Sequence, residues 1–331
     1  MKWKALALVF VLALGLVVSG CTQQGETTTS SVEKTKITIY TGGTSGVYFP
    51  LGSKYAELLN KYGTVVSGEA VTSGASVANA KAIEDGNAQA AILQNDVAYY
   101  AYNGLYMFDT SIKKLKGVAA LYPETVQFVV RADSDIKSLE DLKGKKVAIG
   151  APGSGTAVAA EQILKAAGVW DSIEKVNQKF SEAAQSLKLG QVDAAVIVAG
   201  IPTPAVNQIA VQTPVRVLPI SDDILNKLKD EGYIFYVRQI VPKGTYNGVE
   251  EDTPTVAVKA MLAVSADLPE DVVYEMTKIL FEQVEDLRAV HQKAQAISLD
   301  TALDGMSIPL HPGAIKYYEE KGLSIPSELK G

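Results

Sequence analysis

Residues 145–168, KKVAIGAPGSGTAVAAEQILKAAG, decide the fold of this chain. Residues 147–149 form an apolar run that is typical of a buried strand, and residues 157–167 are strong helix formers that end at Gly168. The turn between them consists largely of glycine, serine and threonine, so a ligand can approach its backbone closely. The first N–H groups of the helix have no acceptor within the helix. The stretch therefore predicts a strand–turn–helix unit that binds an anion.

An earlier part of the chain repeats this unit. Residues 37–40 predict a strand, residues 41–46 (TGGTSG) a turn and residues 47–62 a helix. Strands and helices alternate from there to residue 104, which predicts a parallel sheet with helices on its faces. Residues 116–122 predict a further strand. Two such units predict an α/β protein in which two lobes each present a helix N-terminus to one shared ligand cleft.

The order of the elements also predicts how the chain divides. We expect residues 37–128 and residues 257–331 to form the first lobe, and residues 129–256 to form the second. Residues 126–130 (VQFVV) and residues 256–264 are apolar enough to be the strands that run between the lobes.

The N-terminus is typical of an exported lipoprotein. Two lysines precede an unbroken apolar run of 14 residues, which is shorter than the roughly 20 residues that a membrane-spanning helix needs. Residues 18–21 (VSGC) match a bacterial lipobox. We therefore expect residues 1–20 to be a signal peptide and Cys21 to be lipidated, which anchors an extracytoplasmic protein to the membrane. An uncleaved anchor is the alternative. Residues 21–36 are polar and predict a flexible tether.

Composition excludes several classes of function. The chain has 331 residues, of which 47% are hydrophobic and 21% charged, as in globular proteins of two domains. Its formal net charge is −6, and removal of the signal peptide with its two lysines makes the charge −8. This acidic balance argues against nucleic-acid binding. Cys21 is the only cysteine, so disulfides and thiolate metal sites are not expected. We expect no metal, no cofactor and a monomer.

The candidate ligand site follows from the topology, because ligands of open parallel sheets lie beyond the carboxyl ends of the strands. The turns there offer hydroxyl groups, an amide and backbone N–H groups, and one tyrosine ring that could cover a ligand. Charge-assisted hydrogen bonds of about 1.5–3 kcal/mol each are strong enough to hold a carboxylate without an arginine. The predicted ligand-binding residues are Thr44, Ser45, Tyr48, Ser73, Ser76, Gln94, Gly153, Ser154, Gly155, Thr156 and Gly200.

Two other interpretations of the turns are weaker. A phosphate-binding loop needs a lysine where Thr156 stands, and a dinucleotide fingerprint needs a glycine where Val158 stands. A secreted hydrolase with Ser45 or Ser154 as nucleophile is the alternative from another class, although neither serine lies in a Gly-x-Ser-x-Gly elbow. The chain has two histidines, and neither adjoins one of these turns. We therefore do not expect an enzyme.

Several segments resemble the TAXI family, the solute receptors of one class of TRAP transporters. The similarity lies in residues 40–52 (YTGGTSGVYFPLG), 73–104, 138–156 (SLEDLKGKKVAIGAPGSGT) and 253–282, and it extends over essentially the whole mature chain. The resemblance implies a type II periplasmic-binding-protein fold, with two lobes that close over a small carboxylate solute such as glutamate, glutamine or a dicarboxylate. It also implies delivery of that solute to TRAP membrane subunits. A receptor of the same fold that serves an ABC permease or a membrane sensor is the alternative.

Overall fold

The structure is a computed structural model that describes residues 33–331. The predicted signal peptide, the lipobox with Cys21 and residues 21–32 of the predicted tether lie outside the described residues. Within residues 33–331, no helix is both long enough and apolar enough to cross a membrane.

Residues 33–331 form one sheet of ten strands and ten α-helices. The strands are β1 (Thr35–Tyr40), β2 (Val66–Val71), β3 (Ala90–Gln94), β4 (Leu115–Arg131), β5 (Lys146–Ala148), β6 (Glu174–Val176), β7 (Ala194–Ala199), β8 (Val215–Leu218), β9 (Val237–Val241) and β10 (Thr253–Ser265). The helices are α1 (Tyr48–Tyr62), α2 (Ser76–Glu84), α3 (Asn95–Asn103), α4 (Gly155–Ala166), α5 (Phe180–Lys188), α6 (Pro204–Ala210), α7 (Asp222–Asp230), α8 (Glu270–Glu282), α9 (Val284–Arg288) and α10 (Pro312–Glu320).

Two parallel groups of strands are joined by antiparallel strands. The sheet order is β2-β1-β3-β10-β4-β7-β5-β6, and β8 and β9 pair with β4 and β10 respectively. β1 is parallel to β2 and β3, and β5 is parallel to β6 and β7, whereas β4 and β10 run antiparallel to their neighbours. We call β1–β3 with α1–α3 and α8–α10 the first lobe, and β5–β8 with α4–α7 the second lobe. This two-lobed α/β architecture is the predicted fold class.

β4 connects the lobes as one continuous strand. Its first part pairs with β10 up to Thr125, and from Thr125 onward it pairs with β7. The expectation of two separate strands, at 116–122 and 126–130, is therefore wrong. Pro123 is tolerated because the edge of β4 that faces β7 is still unpaired at this residue, so a missing N–H breaks no ladder there. Both predicted lobe boundaries fall inside β4 and β10.

Helix α4 is fixed on the second lobe by an apolar face. Ala160, Ile163 and Leu164 recur at helical spacing and are fully buried in one cluster with Val147 of β5 and Val196 of β7. Burial of an aliphatic side chain of this size contributes about 1.5–3 kcal/mol. This packing places the first turn of α4 at the carboxyl end of β5, where the two lobes meet.

Candidate functional site

A cavity of about 60 Å³ lies between the lobes, at the carboxyl ends of the parallel strands. Both lobes contribute to its wall, and glycines and other small residues make up much of it. The lining residues are Gly42, Gly43, Gly46, Val47, Tyr48, Ser73, Gly74, Ala75, Ser76, Gln94, Glu124, Ala151, Ser154, Gly155, Thr156, Lys179, Phe180, Val198 and Ala199.

The first turn of α4 presents backbone donors to this cavity. Ser154 is the N-cap, and its hydroxyl accepts a hydrogen bond from the N–H of Ala157 at 3.1 Å and donates to the carbonyl of Ala151 at 2.7 Å. The N–H groups of Gly155 and Thr156 have no acceptor within the helix. The Ser154 hydroxyl is therefore committed to the cap, and the backbone N–H groups of the next two residues remain as donors at the cavity wall.

Gly155 also lies where the two lobes approach each other closely. A Cβ atom added there would lie 1.9 Å from Oε1 of Gln94 and 2.9 Å from Oγ of Ser76. The backbone of Gly155 is in the ordinary helical region, so its lack of a side chain serves this contact and not a special conformation. The sequence predicted close approach of a ligand at this turn, whereas the structure places side chains of the first lobe against it.

The turn before α1 differs from the prediction in which of its groups face the cavity. Gly46 donates its N–H to the carbonyl of Gly43 at 3.1 Å, which closes the turn. Thr44 is exposed, and the carbonyl of Ser45 accepts the N–H of Ala205 from α6 at 3.1 Å. Neither Thr44 nor Ser45 lines the cavity, and Tyr48 does.

The start of α2 is held by the second lobe. The N–H groups of Val77 and Ala78 both donate to the carbonyl of Gly153 at 3.1 Å. Ser73 uses its hydroxyl within the first lobe, 2.5 Å from Oδ1 of Asn79. Ser76 accepts the N–H of Gln94 at 3.2 Å.

The structure brings together part of the predicted site. Tyr48, Ser73, Ser76, Gln94, Ser154, Gly155 and Thr156 line the cavity, and Thr44, Ser45, Gly153 and Gly200 do not. Gly200 follows β7 and lies against Tyr122 and Lys293, where an added Cβ would be 2.7 Å from Cγ of Lys293. Which of these residues contact a solute stays a prediction.

Glu124 is a cavity residue that the sequence analysis missed. It lies in β4, its side chain is 2% exposed, and Oε2 accepts a hydrogen bond from the hydroxyl of Tyr48 at 2.8 Å. Burial, together with the nearby carboxyl group of Asp96, raises the pKa of Glu124 to about 8. Burial and Glu124 raise the pKa of Tyr48 as well. The available signal was that Glu124 is the one acidic residue of β4.

Lys179 and Phe180 were also missed. They stand at the start of α5, beyond the carboxyl end of β6, where the rule for parallel sheets places ligands. Lys179 is the one lysine or arginine of the described chain that lines the cavity. The ring of Phe180 packs over Gly46 of the first lobe, 3.5 Å from where a Cβ would be.

The histidines have structural partners. Nδ1 of His291 accepts the N–H of Lys293, and Nδ1 of His311 accepts the N–H of Gly313, so each caps a helical segment. Burial lowers the pKa of both. Neither lines the cavity in which Ser154 lies. Within residues 33–331, neither histidine is therefore placed to activate Ser154.

The fold and the cavity define the class: this is a type II periplasmic-binding-protein fold, with two lobes around a ligand cleft. A protein from Bordetella bronchiseptica RB50 shares this fold, with 16% identity, 86% of this chain and 89% of that chain covered, and a TM-score of 0.52. The alkanesulfonate-binding protein SsuA from Xanthomonas axonopodis pv. citri, bound to MOPS, is 15% identical, with 87% and 91% covered and a TM-score of 0.49. An ancestral arginine-binding protein bound to arginine is 21% identical, with 78% and 97% covered and a TM-score of 0.45. Residues 39–322 match the NMT1-like family, and the chain belongs to that family.

Proposed function

We propose that this protein is an extracytoplasmic solute-binding receptor that captures a small carboxylate solute between its lobes. One observation carries the proposal: the donor-bearing first turn of α4 and Lys179, an exposed residue at the start of α5 in the same lobe, both line the interlobe cavity. An N–H pair at a helix start and an ammonium group are a suitable combination for a carboxylate.

Glutamate, glutamine or a dicarboxylate is the solute class we propose. Charge-assisted hydrogen bonds contribute about 1.5–3 kcal/mol each. Three or four of them account for micromolar affinity, which corresponds to about −8 kcal/mol. The contacts we propose are those of Tyr48, Ser76, Gln94, Gly155 and Thr156, with Lys179 added by its position.

Delivery to the membrane subunits of a TAXI-type TRAP transporter is the proposed role. The similarity of the segments at 40–52, 73–104 and 138–156 to TAXI receptors supports it. Lipidation of Cys21 would keep the receptor at the membrane surface. The lobes would comprise residues 37–128 with 257–331, and residues 129–256. An ABC permease is the alternative partner, because the receptor chemistry is the same for both.

Two experiments test the receptor proposal. Native mass spectrometry of the purified protein should show a retained small acid that is lost on denaturation. Isothermal titration with glutarate, L-glutamate and L-glutamine should then give one strong binding reaction without turnover. Lys179→Gln should weaken that binding roughly 10- to 150-fold, which corresponds to the loss of one charge-assisted bond of about 1.5–3 kcal/mol. Lys229→Gln, at an exposed position on α7, is the matched control and should have no effect.

Failure of every carboxylate to bind would refute the solute class. The partner is tested separately. The receptor should be purified from the membranes of cells that express the neighbouring transporter genes. A large multi-span TRAP subunit should co-purify with it, and co-purification of an ATP-binding cassette protein would favour the alternative. Cys21→Ser should release the protein from the membrane fraction, and a protein that stays membrane-bound would contradict lipid anchoring.

A further inference from the structure

Glu124 occupies an unusual position for a carboxyl group. It lies inside β4, 2% exposed, and lines the cavity that we propose for the solute. Its hydrogen bond from Tyr48 comes from a neutral phenol and not from a cation. A carboxylate in such a place is costly unless a positive charge compensates it.

The groups around Glu124 supply no such charge. α3 contributes Asp96, a second carboxyl group with no exposure, whose two oxygens have no hydrogen-bond partner in the described chain. α1 contributes Tyr48, and β4 itself contributes Tyr122, whose hydroxyl is buried without a partner. Within residues 33–331, no lysine, arginine or histidine forms a salt bridge with Glu124, and Lys179 lines the cavity without pairing with it.

Two buried carboxyl groups near each other, without a cation, favour the protonated form of both. Burial raises the pKa of Asp96 to about 7. Burial and the Asp96 charge raise that of Glu124 to about 8. A protonated carboxyl group is a hydrogen-bond donor, and a carboxylate is not.

We propose that Glu124 contacts the solute as a neutral carboxylic acid and donates its proton in a hydrogen bond to a solute oxygen. This inference rests on the proposed function. The proton is taken from solution, so solute capture at alkaline pH binds one proton per solute. Glu124 thereby selects a solute that presents a carboxylate or carbonyl oxygen at this end of the cavity, and it disfavours an ammonium group.

The first test uses the protein alone. Infrared difference spectra of wild type against Glu124→Gln should show a carboxylic-acid C=O band at pH 7 that disappears with a midpoint near pH 8. If the spectra show a carboxylate band at pH 7 instead of the carboxylic-acid band, the proposal is overturned, whatever the solute is.

The second test measures binding of glutarate and L-glutamate, which differ by one ammonium group. The Kd of the better probe should rise about tenfold per pH unit above the midpoint. Titrations at pH 9 in buffers of different ionisation enthalpy should show uptake of one proton. Glu124→Gln keeps an N–H donor, so its affinity at pH 7 should stay within a few-fold, and both the pH dependence and the proton uptake should vanish.

Two further variants move the midpoint in opposite directions. The hydrogen bond from Tyr48 lowers the pKa of Glu124, so Tyr48→Phe should shift the loss of affinity to higher pH. The charge of Asp96 raises that pKa, so Asp96→Asn should shift it to lower pH. A merely structural role of Glu124 predicts neither shift, and thermal unfolding of each variant shows that it is folded.

The outcomes separate this inference from the function on which it rests. A probe that binds with an affinity independent of pH, or one that increases with pH, overturns the role of Glu124 alone. A strong preference for L-glutamate over glutarate that Glu124→Gln abolishes also overturns the role of Glu124, because such a preference indicates that an ionised Glu124 pairs with the ammonium group. Absence of binding by every carboxylate at every pH refutes the solute class of the proposed function instead.

Discussion

Gly155→Ala should hinder closure of the two lobes without lowering the free energy of unfolding. The added Cβ would lie 1.9 Å from Oε1 and 2.4 Å from Cδ of Gln94, and 2.9 Å from Oγ of Ser76. Overpacking of this kind costs about 1–3 kcal/mol, which corresponds to an increase in Kd of roughly 5- to 150-fold. The clash lies between the lobes, so opening of the cleft relieves it. Within α4, alanine is a better helix former than glycine and stabilises by about 0.4–1 kcal/mol.

Three measurements on Gly155→Ala check this reasoning. Calorimetric titration with glutarate or L-glutamate should show the weaker binding. Small-angle X-ray scattering should show that the solute no longer reduces the radius of gyration. Urea unfolding without solute should give a free energy equal to that of wild type or higher.

The control adds Gln94→Ala, which removes the two atoms nearest to the new methyl group. The double variant should contract again on adding solute, even though the amide contact of Gln94 is lost. Normal contraction and unchanged Kd in Gly155→Ala would refute the argument. A fall of 1–3 kcal/mol in the unfolding free energy, the overpacking range, would refute it too, because the clash would then lie in a contact that opening does not relieve.

Three further predictions concern stability. Because burial raises the pKa of Asp96 to about 7, this carboxyl group should lower the unfolding free energy by up to roughly 4 kcal/mol as pH rises from 4 to 7. Glu124, whose pKa is raised to about 8, adds a fall of its own, so Asp96→Asn should make the pH dependence in urea titrations shallower without abolishing it, and parallel pH curves would contradict the prediction. Ser154→Ala removes the cap of α4 and should cost about 0.5–2 kcal/mol in chemical unfolding; an ester or amide turnover that this variant abolishes would instead support a hydrolase. Tyr246 donates to Gln127 at 2.6 Å and accepts the N–H of Thr203 at 2.8 Å, so Tyr246→Phe should lower the melting temperature through a loss of about 2 kcal/mol, and an unchanged melting curve would show that water replaces the hydroxyl.

The strand–turn–helix unit could be predicted because its information is local. The apolar run of β5, the glycines of the turn and the helix formers of α4 lie next to each other in the sequence. Gly150 has a φ of 102°, a conformation that favours glycine. Ser154 is the N-cap of α4, and serine is one of the residues preferred at that position. Neither feature depends on distant parts of the chain.

The residues that were missed depend on distant contacts. Ligands of parallel sheets are expected beyond the ends of the strands, whereas Glu124 lies within a strand, which reaches the cavity because β4 passes from β10 to β7 at Thr125. Thr44 and Ser45 were expected to face the cavity because they stand in the right turn. The direction of their side chains depends on how that turn closes, through Gly46 and Gly43, and the sequence does not encode that direction in a readable pattern.

The helix N-termini at the cleft are of two kinds: some donate their N–H groups across the lobes, and one keeps them for a solute. The first-turn N–H groups of α2 hold the carbonyl of Gly153, and one from α6 holds the carbonyl of Ser45, in each case across the lobes. Such a bond contributes about 0.5–1.5 kcal/mol net, so these three together offset about 2–4 kcal/mol of the free-energy cost of closing the lobes. The start of α4 is left for the solute. A solute therefore has to supply only the remaining free energy of closure, and its apparent affinity depends on the fraction of protein that is already closed.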